Sequence, residues 1–147
     1  MGKNKLLWIW CCPAVAVLCI LGLLPLQGLS TSQIICASIP LYTAIDILVL
    51  VVCFSTLQKI EMLASWKFAV YLAVITAGSL YVNFLLVPVE SKSILLFLLI
   101  AFILLALLNF VFLKITFVVS ARKAALIGII MGLIGSLLGI LTNSVPN

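Results

Sequence analysis

The chain has 147 residues, of which 67% are hydrophobic and 7% charged, and its mean hydropathy is +1.50. Soluble domains are roughly half apolar and about a quarter charged, and a short chain leaves much of its surface outside any core. A water-soluble fold is therefore excluded, and lipid must cover the remaining apolar surface.

Five apolar runs follow one another along the chain: residues 6–26, 34–57, 68–87, 93–119 and 124–141. A spanning helix needs about 20 residues, with a range of roughly 17–25. In lipid a helix satisfies its own backbone hydrogen bonds, whereas a transmembrane barrel would show alternating segments of about ten residues, and none occur. The expected fold is an all-α integral membrane protein, one transmembrane domain over residues 1–147, with five helices joined by short loops. Those loops are residues 27–33, 58–67, 88–92 and the basic turn 120–123, and a polar tail is expected from Thr142 onward.

The first run follows Lys3 and Lys5 and contains Pro13 and Pro25. A secretory signal peptide is the competing reading. The apolar core is long for such a segment, however, and no small-residue cleavage site follows. Gly2 does not make a myristoylation site, because position 6 is Leu rather than Ser or Thr.

Orientation follows from the positive charges, which concentrate in cytoplasmic loops. With the N-terminus inside, Lys3, Lys5, Lys59, Lys67, Lys114, Arg122 and Lys123 fall on the cytoplasmic side and Lys92 alone outside. Trp8, Trp10 and Trp66 fall at the same inner interface, where aromatic anchors are enriched. The expectation is N-in, C-out, with Lys114 snorkelling to the inner surface. The plasma membrane is the default location.

The net charge of +5 does not indicate nucleic acid, since the basic residues sit singly or in pairs at the ends of apolar runs. There is no histidine, the commonest metal ligand and neutral-pH general base. Cys11, Cys12, Cys19, Cys36 and Cys53 form no C-x-x-C pair, so neither a redox motif nor a zinc site is indicated. No catalytic residue, metal or cofactor is expected.

Asp46 stands out in the second run. It lies 12 residues beyond Ile34, or ~18 Å at 1.5 Å per residue, near the middle of a core about 30 Å thick. An ionised aspartate there costs about 2.5–3.5 kcal/mol, so it is expected to face the bundle interior and find a partner. Ser38, Tyr42, Asp46 and Cys53 share a helix face broadly. On the third run Thr76, Ser79 and Asn83 form a matching polar face, with Thr76 at the depth of Asp46 in an antiparallel neighbour. The two faces are expected to press together, with Asn109 of the fourth run approaching through Cys53. Pro40, six residues before Asp46, is a candidate kink.

Two readings compete for this cluster. In one, Asp46 is an intramembrane proton or cation site for which Tyr42, Thr76, Ser79 and Asn83 supply oxygens. In the other, these groups are interhelical hydrogen-bond glue worth about 0.6 kcal/mol each. The fifth run carries Gly128, Gly132, Gly135 and Gly139 on one side, a helix-packing face that lets another backbone approach closely. That face serves either the same bundle or an oligomer.

The functional expectation is a non-enzymatic accessory or scaffold protein. Its partners are the bilayer and either a second copy or a larger membrane complex. The alternative is a small secondary transporter or channel subunit built on Asp46.

Overall fold

In the computed structural model, which describes residues 2–23, 31–58, 60–117 and 119–143, all the regular structure is helical. The helices are α1 (Lys3–Gly22), α2 (Thr31–Thr56), α3 (Trp66–Leu85), the short α4 (Val87–Lys92), α5 (Ile94–Thr116) and α6 (Ala121–Asn143), with a 3-10 turn at Ile60–Ala64 between α2 and α3. All but α4 are long and apolar enough to cross a membrane. Pro25, Lys59, most of the loop 27–33 and residues 144–147 of the tail lie outside the described residues.

Three serines start three of these helices. The hydroxyl of Ser65 accepts from the Lys67 amide at 3.2 Å, that of Ser93 from Leu96 at 3.3 Å and that of Ser120 from Lys123 at 3.3 Å. Each satisfies one amide that the first helical turn leaves unpaired. The Ser120 cap moves the start of α6 ahead of the expected boundary. Arg122 and Lys123 therefore belong to its first turn, and the residues expected to form a basic turn are largely helical.

Further corrections arise at chain reversals. The fourth apolar run continues to residue 119, but α5 stops at Thr116 and Phe117 is extended, with φ −121° and ψ 147°. Ile115 and Thr116 are β-branched, which weakens a helix end, and Lys114 Nζ donates to the Val119 carbonyl at 3.2 Å across the reversal. This returns Phe117 and Val119 to the core. Pro88 begins a helix readily because its missing amide hydrogen is not needed there, so the link 88–92 coils into α4. Thr142, expected in the tail, lies inside α6 and donates to the carbonyls of Leu138 and Gly139.

Side-chain contacts define the packing. Gly128 and Gly132 lie against Ala106, with Phe110 beside the first and Phe102 beside the second, so α5 and α6 run antiparallel. Positions 79 and 83 of α3 meet 135 and 139 of α6 in the same order, so that pair runs parallel. Tyr42 and Asp46 of α2 meet Asn83 and Thr76 of α3 in reverse order, so that pair runs antiparallel, and α1 packs mainly on α2 and the 3-10 turn.

Aromatic rings close the end of the bundle that holds Lys5, Lys67, Arg122 and Lys123, termed here the basic end. Trp10 meets Phe68 edge-on at 4.8 Å, Phe54 meets Phe68 at 6.0 Å and Phe117 at 5.9 Å, and Tyr71 meets Phe117 at 6.0 Å. Edge-to-face pairs add about 0.5–1.5 kcal/mol each beyond area burial. Trp10 also donates from Nε1 to the Leu63 carbonyl at 3.0 Å. It thus turns inward to pin the 3-10 turn, whereas Trp8 and Trp66 are exposed.

Candidate intramembrane polar site

The polar side chains of the spans are not gathered into one pocket. They form three rungs along α3, at Tyr71, Thr76 and Asn83, separated by ~8 and ~11 Å at the helical rise.

The middle rung holds Asp46. Its side chain is 2% exposed, and its Oδ2 accepts from the Thr76 hydroxyl at 3.2 Å. The equal depth of the two residues in antiparallel helices makes this contact. The separation is long for a hydroxyl donor, which sits 2.5–3.0 Å from its acceptor in a good bond. No ion pair to Asp46 occurs among the described residues. Lys67, the one basic residue of α3, lies nine positions from Thr76, or ~14 Å along the helix.

The rung at the opposite end from the basic residues centres on Asn83. Its Nδ2 donates to Tyr42 Oη at 2.9 Å and to the Gly135 carbonyl at 3.0 Å. Tyr42 Oη lies 3.2 Å from Thr142 Oγ1. Either hydroxyl can donate across that pair, and the Thr142 hydroxyl also reaches carbonyls of its own helix. The chain therefore runs from Asn83 through Tyr42 to Thr142 and joins α3, α2 and α6.

Asn83 Oδ1 is buried and has no hydrogen-bond partner. It faces Gly139, where a Cβ would collide with the amide. A Cα–H···O contact with the glycine is the interaction this geometry allows, a weak bond common at close helix crossings. Ser79 is buried beside Gly135.

The third rung departs from expectation. Asn109 does not approach the cluster through Cys53. Its Oδ1 instead accepts from the Tyr71 hydroxyl at 2.7 Å, and its Nδ2 donates to the Leu105 carbonyl at 2.8 Å. Tyr71 and Thr142 are the partners that sequence reasoning missed. Tyr71 lies eight residues before Ser79 on the buried stripe of α3, so its phenol could have been counted with that polar face. Thr142 follows Gly139 by three residues and could have been placed as a continuation of the glycine face.

The glycines are filled from within the bundle. A Cβ on Gly128 would stand 2.9 Å from the Ala106 carbonyl oxygen, and one on Gly132 would stand 2.9 Å from both the Ala106 nitrogen and the Phe102 oxygen. Gly135 faces Leu105 and Ser79, and Gly139 faces Asn83. No group of three or more His, Cys, Asp or Glu residues that could hold a metal occurs among the described residues. No protein-family model, curated protein or solved structure matches this chain.

Proposed function

We propose that this chain is a non-enzymatic accessory or scaffold subunit of a membrane assembly, acting through helix contacts. One observation carries the reading. Of the four residues that could have supplied oxygens to an ion at Asp46, only Thr76 bonds to it, while Tyr42 and Asn83 bond to each other and to α6. Groups that recognise an ion must converge on it, and here they are distributed as ties between helices.

The second reading, a proton- or cation-coupled transporter or channel subunit, rests on the long bond from Thr76 to Asp46 and on Asp46 having no ion pair among the described residues. Asp46→Asn in purified, reconstituted protein separates the two. An asparagine can accept the same bond from Thr76 without an ionisable group in the membrane. The scaffold reading expects a variant at least as stable as the parent, with no ion flux through either protein. Proton-linked flux in the parent that vanishes in a stably folded variant would establish the transporter reading.

The proposal places the N-terminus in the cytoplasm and the protein in the plasma membrane. Support for the orientation comes from the basic residues at the starts of α1, α3 and α6 and the end of α5, against Lys92 at the end of α4. In a cysteine-free background, an impermeant thiol reagent applied to intact cells should label Ser91→Cys and spare Arg122→Cys. The reverse pattern would invert the topology, and protection of both in cells that are labelled after lysis would place the protein in an internal membrane.

A further inference from the structure

The hairpin of α5 and α6 carries charge of one sign only. The acidic residues of the chain are Asp46, Glu61 and Glu90, and none lies within residues 94–143. The cations of that stretch, Lys114, Arg122 and Lys123, gather where α5 turns back into α6. Lys114 stands in the last turn of α5, and Arg122 and Lys123 stand in the first turn of α6. The bond from Lys114 Nζ to the Val119 carbonyl, at 3.2 Å, holds its ammonium on the reversal itself. An ammonium has three hydrogens, so two remain for another acceptor.

Nothing in the hairpin balances this charge. Lys114, Arg122 and Lys123 make no ion pair among the described residues. Glu61, the acid at the basic end, belongs to the 3-10 turn, which packs on α1, α2 and α3 rather than on the hairpin. The positive end of the α6 dipole adds to the charge of Arg122 and Lys123 instead of offsetting it. Membrane orientation asks for basic residues on one side of the bilayer, but it does not ask for three of them at one acid-free reversal.

The flanks of the reversal select the anion. Val111, three residues before Lys114, and Leu126, four residues after Arg122, are 46% and 51% exposed, and Ile115 beside Lys114 is 75% exposed. Residues three or four apart share a helix face, so Lys114 and Arg122 each sit one turn from apolar surface that lipid chains cover. A soluble anion would match the charge and leave that surface bare, whereas a phospholipid presents a phosphate and acyl chains in the same order.

We propose that the α5–α6 reversal binds the phosphate of an anionic phospholipid through Lys114, Arg122 and Lys123, with the acyl chains over Val111, Ile115 and Leu126. The site draws on neither Asp46 nor the scaffold reading, and it holds in either membrane orientation.

The test uses the full chain in phosphatidylcholine vesicles doped with phosphatidylglycerol bearing a diazirine in one acyl chain, or with phosphatidylcholine bearing the same group. The phosphatidylglycerol probe should label the segments around Ile115 and Leu126 saturably, and the phosphatidylcholine probe should not saturate there. Arg122→Gln removes an exposed side chain with no partner among the described residues. Thermal stability should therefore be unchanged, while half-saturation needs about fivefold more phosphatidylglycerol, as expected for one basic residue at an anionic surface. Lys5→Gln removes the same charge from the same end, but on α1, which packs on α2 and the 3-10 turn, and it should leave the labelling as it was. An equal loss from Lys5→Gln would reduce the effect to the diffuse potential of the basic end and overturn the site. Equal labelling by both lipids, or undiminished labelling of Arg122→Gln, would overturn it too. Displacement by inorganic phosphate beyond that by sodium chloride at equal ionic strength would give the reversal to a soluble anion and overturn the lipid assignment.

Discussion

Replacing Gly132 with alanine tests whether α5 and α6 are held together by backbone proximity. The new Cβ would lie 2.9 Å from the Ala106 nitrogen, 2.9 Å from the Phe102 oxygen and 3.0 Å from the Ala106 Cβ. Non-bonded heavy atoms are at ease near 3.5–4.0 Å, so the two helices must part by about 0.6 Å. A gap of that order forfeits a quarter to a half of each dispersion contact across it, and overpacking of this kind costs about 1–3 kcal/mol. Against this, alanine gains about 1 kcal/mol over glycine in helix propensity. Gly78→Ala supplies the control, because its Cβ would meet only the tip of the Leu108 side chain, which can rotate away. The expected result is a Gly132→Ala protein about 1–3 kcal/mol less stable than Gly78→Ala. Reversible unfolding in mixed micelles, followed by circular dichroism, measures the difference. Ala106→Gly should rescue little, since the two backbone contacts remain. Equal stability of the two variants, or full rescue by Ala106→Gly, would refute the reasoning.

Gly139→Ala and Asn83→Ala should be strongly non-additive, because the alanine at 139 collides with the Asn83 amide and has room once that amide is gone. A double-mutant cycle should return a coupling within the range of about 0.5–3 kcal/mol found for residues in contact, and zero coupling would separate the two sites. Tyr71→Phe leaves Asn109 Oδ1 buried without its donor and should destabilise the protein by about 1–3 kcal/mol. Tyr71→Phe combined with Asn109→Leu should recover much of that loss in the same unfolding assay. Trp10→Phe keeps an aromatic ring near Phe68 but removes the bond to Leu63. It should raise hydrogen exchange in the 3-10 turn Ile60–Ala64 while leaving the cores of α5 and α6 protected, and unchanged exchange there would show that Trp10 does not hold the turn.

Hydropathy made the five long helices legible, because a backbone in lipid has few alternatives to a helix. The pairing of Asp46 with Thr76 was legible for an equally simple reason: axial rise multiplied by residue count fixes depth, and antiparallel neighbours meet at equal depth. Partner choice at other depths was not legible. Whether Asn109 turns towards Cys53 or Tyr71 depends on the rotation of α5 about its axis, and that rotation is set by how Gly128 and Gly132 seat on Ala106. It is a property of two helices together, absent from either one. Asn83 shows the same limit, since one of its acceptors is the backbone carbonyl of Gly135, a group every residue carries and no side-chain pattern reveals. Helix ends were obscured where apolar residues continue past the helix, as at Phe117 and Val119, whose burial in a chain reversal looks like a span when only hydropathy is read.

The three rungs differ in what surrounds them, and the difference bears on transport more directly than the chemistry of Asp46 alone. On one side of Asp46 a cleft between α2 and α3 reaches Tyr42, one helical turn away. On the other side stand Phe54, Phe68, Tyr71 and Phe117, all buried and linked edge to face, with the Tyr71–Asn109 bond beside them. An ion moving from the cleft side towards the basic end would meet these rings. Parting them would separate α2 from α3 and draw the residues after α5 out of the core, at about 0.5–1.5 kcal/mol for each ring pair broken in addition to the exposed hydrogen bond. Alternating access along that route would therefore require this aromatic end, with its linked rings, to be the moving part. A scaffold needs the reverse, a closed end that keeps the helices in register while their outer faces meet lipid and partners. The aromatic end thus favours the scaffold reading on grounds independent of how the oxygens around Asp46 are arranged.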